Sequence, residues 1–184
     1  MSTEVDEDPR RVLVLGGARS GKSAFAESVL STRVAVQYVA TAPAVDDDPE
    51  WIARVAEHRA RRPPTWSTLE SRDLATVCRA SDAGAALIDS ITAWLTATLD
   101  THRAWQDEPG WRLRVASDVT DLTDAWSGSG RTLVAVSDEV GSGIVPESAA
   151  GRMFRDELGS LNQRLAAAAD EVWLVTAGIP CRLR

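Results

Sequence analysis

Residues 11–23 read Arg11-Val-Leu-Val-Leu-Gly16-Gly17-Ala18-Arg19-Ser20-Gly21-Lys22-Ser23. An apolar run leads into the spacing G-x-x-x-x-G-K-S, and a helix-forming stretch, Ala24-Phe-Ala-Glu-Ser-Val-Leu30, follows it. The glycines let the main chain wrap closely around phosphate oxygens and aim its N–H groups at them. Lys22 brings a point charge toward the β- and γ-phosphates, and Ser23 offers a hydroxyl to Mg²⁺. The helix that follows presents the positive end of its dipole to the same anion. With a strand before it and a helix after it, the stretch reads as a phosphate-binding loop, and the chain as one that handles a nucleoside triphosphate.

Working outward, short apolar runs bounded by turn signals recur at Val12–Leu15, Val34–Ala40, Ala85–Ile88, Thr132–Val136 and Glu171–Thr176. They read as buried parallel strands. Helical patterns lie between them, over 22–31, 48–62, 72–80, 90–101, 111–126 and 147–169. Alternation of this kind predicts an α/β fold, a mostly parallel central sheet flanked by helices on both faces. Ligands of such sheets bind beyond the carboxyl ends of the strands. The candidate functional residues fall there: Gly16–Ser23, Thr41, Asp89 and Asp138-Glu139. Pro63-Pro64 ends the helix over 48–62, and Ser127-Gly-Ser-Gly130 reads as a flexible link.

The bulk numbers agree. The chain has 184 residues, enough for one domain with a substantial core, expected over 11–184. Residues 1–10, carrying Glu4, Asp6, Glu7 and Asp8, read as a disordered acidic tail, unlike a signal peptide. A net charge of -7 disfavours nucleic acid as a partner. No apolar run approaches the roughly 20 residues of a membrane span. Cys78 and Cys181 form no metal or disulfide pattern, so a cytoplasmic setting is expected. Seven tryptophans beside one tyrosine and two phenylalanines read as core or subunit-contact residues.

Three further groups bear on chemistry. On a helix, Arg54, His58, Arg61 and Arg62 share one face. A histidine among guanidinium groups suits an anionic substrate and is able to attack phosphorus; the plain alternative is a solvated basic face. Asp89, at the end of an apolar run, is placed either to hold Mg²⁺ or to cap the next helix. Asp138 and Glu139 open a Gly- and Pro-shaped loop where metal or a hydroxyl substrate would approach. Asn162-Gln163-Arg164 reads as solvent-facing or bridging a subunit contact, and His102 as incidental.

Taken together, Gly16–Ser23, Tyr38-Val-Ala-Thr41, Arg54-x-x-x-His58 with Arg61-Arg62-Pro63 and Trp66, Asp138-Glu-Val-Gly-Ser-Gly-Ile-Val-Pro-Glu147, and Phe154-Arg-Asp with Asn162 through Val175 resemble the bifunctional adenosylcobinamide kinase/adenosylcobinamide-phosphate guanylyltransferases. The likeness runs from about Val12 to the C-terminus. It implies a phosphate-loop domain that assembles as a homotrimer. It implies two reactions: phosphorylation of the aminopropanol hydroxyl of adenosylcobinamide by ATP or GTP, then transfer of GMP from GTP onto that phosphate. The second passes through a guanylylated histidine, which maps onto His58; Lys22 is the other catalytic residue. Nucleotide contacts map onto Gly16, Gly17, Ala18, Arg19, Ser20, Gly21, Lys22, Ser23, Ala40, Thr41, Ala42, Arg59, Ala60, Arg61, Arg62, Glu70 and Asp89. Ser23 and Asp89 are the expected Mg²⁺ ligands. Here Glu57 precedes His58 where some relatives have a second histidine, and Asp89 stands where relatives often have Glu. The alternatives are a small-molecule kinase of the same fold without GMP transfer, and a nucleotide-binding switch without turnover.

Overall fold

Val12, Leu13 and Val14 expose none of their surface, as a strand covered on both faces must. The computed structural model describes residues 11–42, 62–80 and 84–184, together with Ala56. The strands are β1 (Arg11–Gly16), β2 (Val36–Ala40), β3 (Ser67–Glu70), β4 (Ala85–Asp89), β5 (Leu133–Asp138), β6 (Glu171–Thr176) and β7 (Ile179–Arg182). They form one sheet in the order β3-β2-β4-β5-β1-β6-β7. Every pairing is parallel except β6 with β7. That last pair is joined through Ala177 (φ 52°) and Gly178 (φ 80°), the left-handed pair that a two-residue hairpin turn requires. The expected mostly parallel α/β sheet is present.

The helices are α1 (Lys22–Val29), α2 (Leu74–Arg79), α3 (Ile91–Thr101), α4 (Trp111–Gly128) and α5 (Ala149–Ala168). Side chains alternate along the strands. Leu13, Ala86, Ile88, Leu133 and Ala135 pack with α2 to α5, whereas Val12, Val14, Leu87, Val134 and Val136 pack with α1. Carrying that period of two to the strand ends puts Tyr38, Asp89 and Asp138 on the α1 face. The helices therefore divide unevenly among the described residues, one on the face that carries the candidate site and four on the other.

Several expectations change. β3 and β7 are additional strands, both short and at sheet edges. The second strand begins at Val36; Val34 is exposed. Ser127-Gly-Ser-Gly130 is no loose link, because its first two residues complete α4. Ser129 is buried, donates its hydroxyl to the Cys78 carbonyl at 2.7 Å and accepts from the Arg131 N–H at 3.3 Å. Trp66, Trp94, Trp111 and Trp126 are buried in the core. The helix expected over 48–62 lies outside the described residues except for Ala56 and Arg62, and so does the tail over 1–10.

Candidate active site

The phosphate loop runs from the end of β1 into α1. Gly16 is buried, and a Cβ there would stand 2.4 Å from Ser20 Oγ and 2.6 Å from the Val175 carbonyl oxygen. Gly17, Ala18 and Arg19 are exposed. Ser20 N donates to the Gly17 carbonyl at 3.2 Å, closing the loop. Gly21, at φ 93°, turns the chain into the helix, a conformation glycine adopts without strain. Its neighbour Gly178 donates its N–H to the Ser20 carbonyl at 2.8 Å, so the β6–β7 turn braces the loop. α2, α3 and α5 are capped by side chains of Asp73, Ser90 and Ser148, but α1 starts at Gly21 without one. First-turn N–H groups without a side-chain cap remain for an anion.

Lys22 reaches back across this loop. Its Nζ lies 2.8 Å from Asp138 Oδ1 and donates to the Gly17 carbonyl at 3.2 Å. Asp138 is opposite Gly16 in the parallel register. The next residue, Glu139, donates its N–H to the Gly16 carbonyl at 3.1 Å. The Glu139 carboxylate is occupied by its own loop, accepting from Gly141 N at 2.6 Å and Ser142 N at 3.3 Å. Of the two acids that begin this loop, Asp138 is therefore the one facing the phosphate cradle.

The rim continues along the sheet. Ala40 is opposite Glu70 on β3 and Asp89 on β4. Thr41 is buried and ties the strand ends: its hydroxyl donates to the Ser90 carbonyl at 2.7 Å and accepts from Ser90 N at 2.8 Å. Ala42 follows, half-buried, and Glu70 is exposed. Ser90, not Asp89, caps α3. Asp89 instead accepts the Tyr38 hydroxyl proton at 2.9 Å. Burial, aided by the negative charge of Asp89, pushes the Tyr38 pKa well above that of an ordinary tyrosine, so the hydroxyl remains a donor. Arg62 lies over the Tyr38 ring with Cζ 3.3 Å from the centroid. Arg62 Nε and Trp66 Nε1 are buried and have no hydrogen-bond acceptor among the described residues. His58, Arg59, Ala60 and Arg61 lie outside the described residues. A separate cleft of about 250 Å³ between α2, α3 and α4 is lined by Arg72, Asp73, Asp118 and Asp121 together with apolar and threonine side chains.

A model of the family described as cobinamide kinase/cobinamide phosphate guanyltransferase matches residues 12–183. The chain belongs to this family. The bifunctional adenosylcobalamin biosynthesis protein CobU of Salmonella typhimurium is 40% identical over 94% of the chain and 99% of its own length. CobU of Escherichia coli is 37% identical over the same shares, and CobP of Pseudomonas aeruginosa is 39% identical over 95% and 97%. Among solved structures, an ATPase of a bacterial type III secretion system superposes on 91% of the chain with a TM-score of 0.57 and 14% identity. This chain spans about half the length of that ATPase (51%), and the likeness shows the fold alone.

In this member of the cobinamide kinase family, sequence reasoning used Tyr38 only as part of a motif and placed Asn162 on the wrong side of its helix. Asn162, expected to face solvent or a subunit contact, is buried, and its Nδ2 donates to the Asp138 carbonyl at 3.1 Å. The signal was present: Leu158, Leu161, Asn162 and Leu165 recur at i, i+3, i+4 and i+7, one helical stripe. Tyr38 is the chain's one tyrosine, set in an apolar strand. His102, read as incidental, ends α3 with its Nε2 2.7 Å from Asp118 Oδ2.

Proposed function

We propose that this chain phosphorylates the aminopropanol hydroxyl of adenosylcobinamide with ATP or GTP. It then transfers GMP from GTP through a guanylylated His58, giving adenosylcobinamide-GDP and pyrophosphate. The observation that carries the reading is the preformed Gly16–Ser23 cradle, with Lys22 held across it, in a chain that matches the cobinamide kinase/guanyltransferase family over residues 12–183. The cradle binds the triphosphate through main-chain N–H groups, and Lys22 draws the β- and γ-phosphates into place. Ala40, Thr41, Ala42, Arg59, Ala60, Arg61, Arg62, Glu70 and Asp89 complete the nucleotide site.

The donor set also suits Mg²⁺. A small hard cation of this kind is held mainly by substrate phosphates and water, with one hydroxyl and one carboxylate from the protein. Ser23 and Asp89 would hold it, and it would neutralise charge on the phosphate oxygens. We infer a homotrimer from the family resemblance and a cytoplasmic setting from the cysteine usage; no described helix is long and apolar enough to cross a membrane.

Incubation with GTP labelled at the α-phosphate tests the covalent step. The protein retains label that acid releases and base does not, and His58→Ala retains none. Label captured by His58→Ala overturns the assignment. Adenosylcobinamide phosphate formed without any GMP conjugate leaves the chain a simple kinase.

A further inference from the structure

We propose that Asn162 and Thr92 are positioning residues for phosphoryl transfer. Reaching in from two helices, they hold the end of β5 so that Asp138 faces Lys22 across the phosphate loop. This rests on reading the chain as a cobinamide kinase, and it adds the parts that keep the cradle in register.

The need for such a hold follows from the sheet. Asp89, the last residue of β4, is opposite Val136, and β5 runs two residues further, to Asp138. Glu139 gives its N–H to the Gly16 carbonyl on β1 at 3.1 Å. Main-chain groups of successive strand residues face alternate neighbours, so those of Asp138 face the side on which β4 has already stopped. Such groups need partners from backbone, side chains or water. Here two side chains supply them. Thr92 Oγ1, in the first turn of α3, accepts the Asp138 N–H at 2.8 Å. Asn162 Nδ2, on α5, donates to the Asp138 carbonyl at 3.1 Å. A hydroxyl and an amide thus stand in for the missing residues of β4.

The hold acts where it matters for the cradle. Asp138 is opposite Gly16 in the register of β5 with β1, and its Oδ1 lies 2.8 Å from Lys22 Nζ. Lys22 is the side chain that draws in the β- and γ-phosphates. Because Thr92 and Asn162 grip the main chain of Asp138, the carboxylate keeps its place when the ammonium turns to a triphosphate. Groups around a reacting centre must be held to within about 0.5 Å, and a displacement of about 1 Å costs on the order of 10²-fold in rate.

Packing alone does not call for Asn162. Leu158, Leu161 and Leu165 are buried on the same stripe of α5, and Asn162 is 9% exposed among them. Only the amide nitrogen can donate to a carbonyl, so the contact with Asp138 fixes which way the amide points. Its Oδ1 is then buried with no hydrogen-bond partner among the described residues. A half-satisfied amide is a poorer core group than a leucine, and a residue that breaks the local pattern in this way marks a functional demand. That demand is the grip on β5.

Full-length wild type, Asn162→Leu, Thr92→Val and Thr92→Ser are compared by melting curves and by phosphorylation of adenosylcobinamide with ATP. Asn162→Leu completes the leucine stripe, so its melting temperature stays within about 4 °C of wild type or rises. Its kcat nevertheless falls by about 10–100-fold, while the triphosphate KM moves by less than about 5-fold. Thr92→Val, which keeps the shape and removes the acceptor, loses kcat by a similar factor, and Thr92→Ser, which keeps the hydroxyl, stays within about 3-fold of wild type. Phosphorylation by Asn162→Leu within about 3-fold of wild type overturns the proposal and leaves the kinase reading intact. So does a melting temperature for Asn162→Leu more than about 8 °C below wild type, which makes the amide a support of the fold. An equal loss of kcat in Thr92→Ser and Thr92→Val removes Thr92 from the role. A wild type that binds triphosphate but phosphorylates no cobinamide removes the kinase reading itself, and the positioning role with it.

Discussion

The phosphate cradle and the corner formed by β2 and β3 lie on the same face of one sheet, but they differ in how far the chain satisfies its own polar groups. In the cradle, Lys22, Asp138, Ser20 and Glu139 all have partners within the described chain. In the corner, Tyr38 is partnered by Asp89 and Arg62, yet Arg62 Nε and Trp66 Nε1 are buried without acceptors among the described residues. A buried donor left unpaired costs about 1–3 kcal/mol. The cradle closes its polar groups on one another, with Lys22 paired to Asp138. The corner leaves two buried donors without an acceptor among the described residues.

The largest effect is expected where the cradle has no room. Gly16→Ala sets a methyl 2.6 Å from the Val175 carbonyl oxygen, a backbone atom that has no rotamer to escape into. Overpacking of this kind costs about 1–3 kcal/mol, and at roughly 2–4 °C per kcal/mol the melting temperature falls by about 2–12 °C. Triphosphate binding is lost along with the distorted loop. Gly17→Ala is the matched control, because its Cβ meets nothing within 4 Å. Melting curves that coincide for the two variants break the view of the cradle as tightly built.

The corner gives a pH signature. Tyr38 is the only tyrosine in the chain, so absorbance of tyrosinate near 295 nm reports on it alone. Its folded pKa lies above the ordinary value of 10.0, chiefly through burial and then through the charge of Asp89. A group whose folded pKa is raised binds its proton in the native state after the unfolded chain has lost it. The stability it contributes is thus fully present below pH 10 and declines as pH rises beyond it, by up to about 1.4 kcal/mol per pH unit. Tyrosinate is expected to appear only as the protein unfolds, and urea midpoints above pH 10 should fall less steeply for Tyr38→Phe. A native protein that ionises near pH 10 would show that the ring is neither buried nor tied to Asp89.

The same contrast explains what could be read from the sequence. The cradle is eight consecutive residues, Gly16–Ser23, so its function is written locally. β1, β4 and β5 are equally legible, because central strands buried on both faces must be apolar throughout. β3 reads Ser-Thr-Leu-Glu and β7 reads Ile-Pro-Cys-Arg; edge strands carry little burial and little apolar signal. Tyr38 and Asp89 are 51 residues apart, and their meeting depends on the register of β2 against β4, which no local pattern encodes. Asn162 was misjudged for another reason. Its polar neighbours Gln163 and Arg164 hid the period that places it on the buried stripe of α5. The cap at Ser90 in place of Asp89 turns on one residue, the scale at which capping signals from Asp and Ser are interchangeable.

The smallest expected effect isolates the spare donors. Trp66 packs with Val36, Tyr38 and Leu87, and its indole N–H meets no acceptor among the described residues. Trp66→Phe keeps an aromatic ring in place and deletes that N–H. Loss of ring volume destabilises, while removal of an unpaired buried donor stabilises, so the ligand-free melting temperature should move by no more than about 4 °C, equivalent to about 1 kcal/mol. If the corner completes itself on the nucleotide, one neutral hydrogen bond is lost there, and GTP affinity falls by about 2–12-fold. Titration calorimetry on the two proteins reads this directly. A weakened affinity with an unmoved melting curve separates a donor that serves the ligand from one that serves the core. An affinity equal to wild type would mean that GTP leaves the indole unpaired, and that the corner differs from the cradle in packing alone.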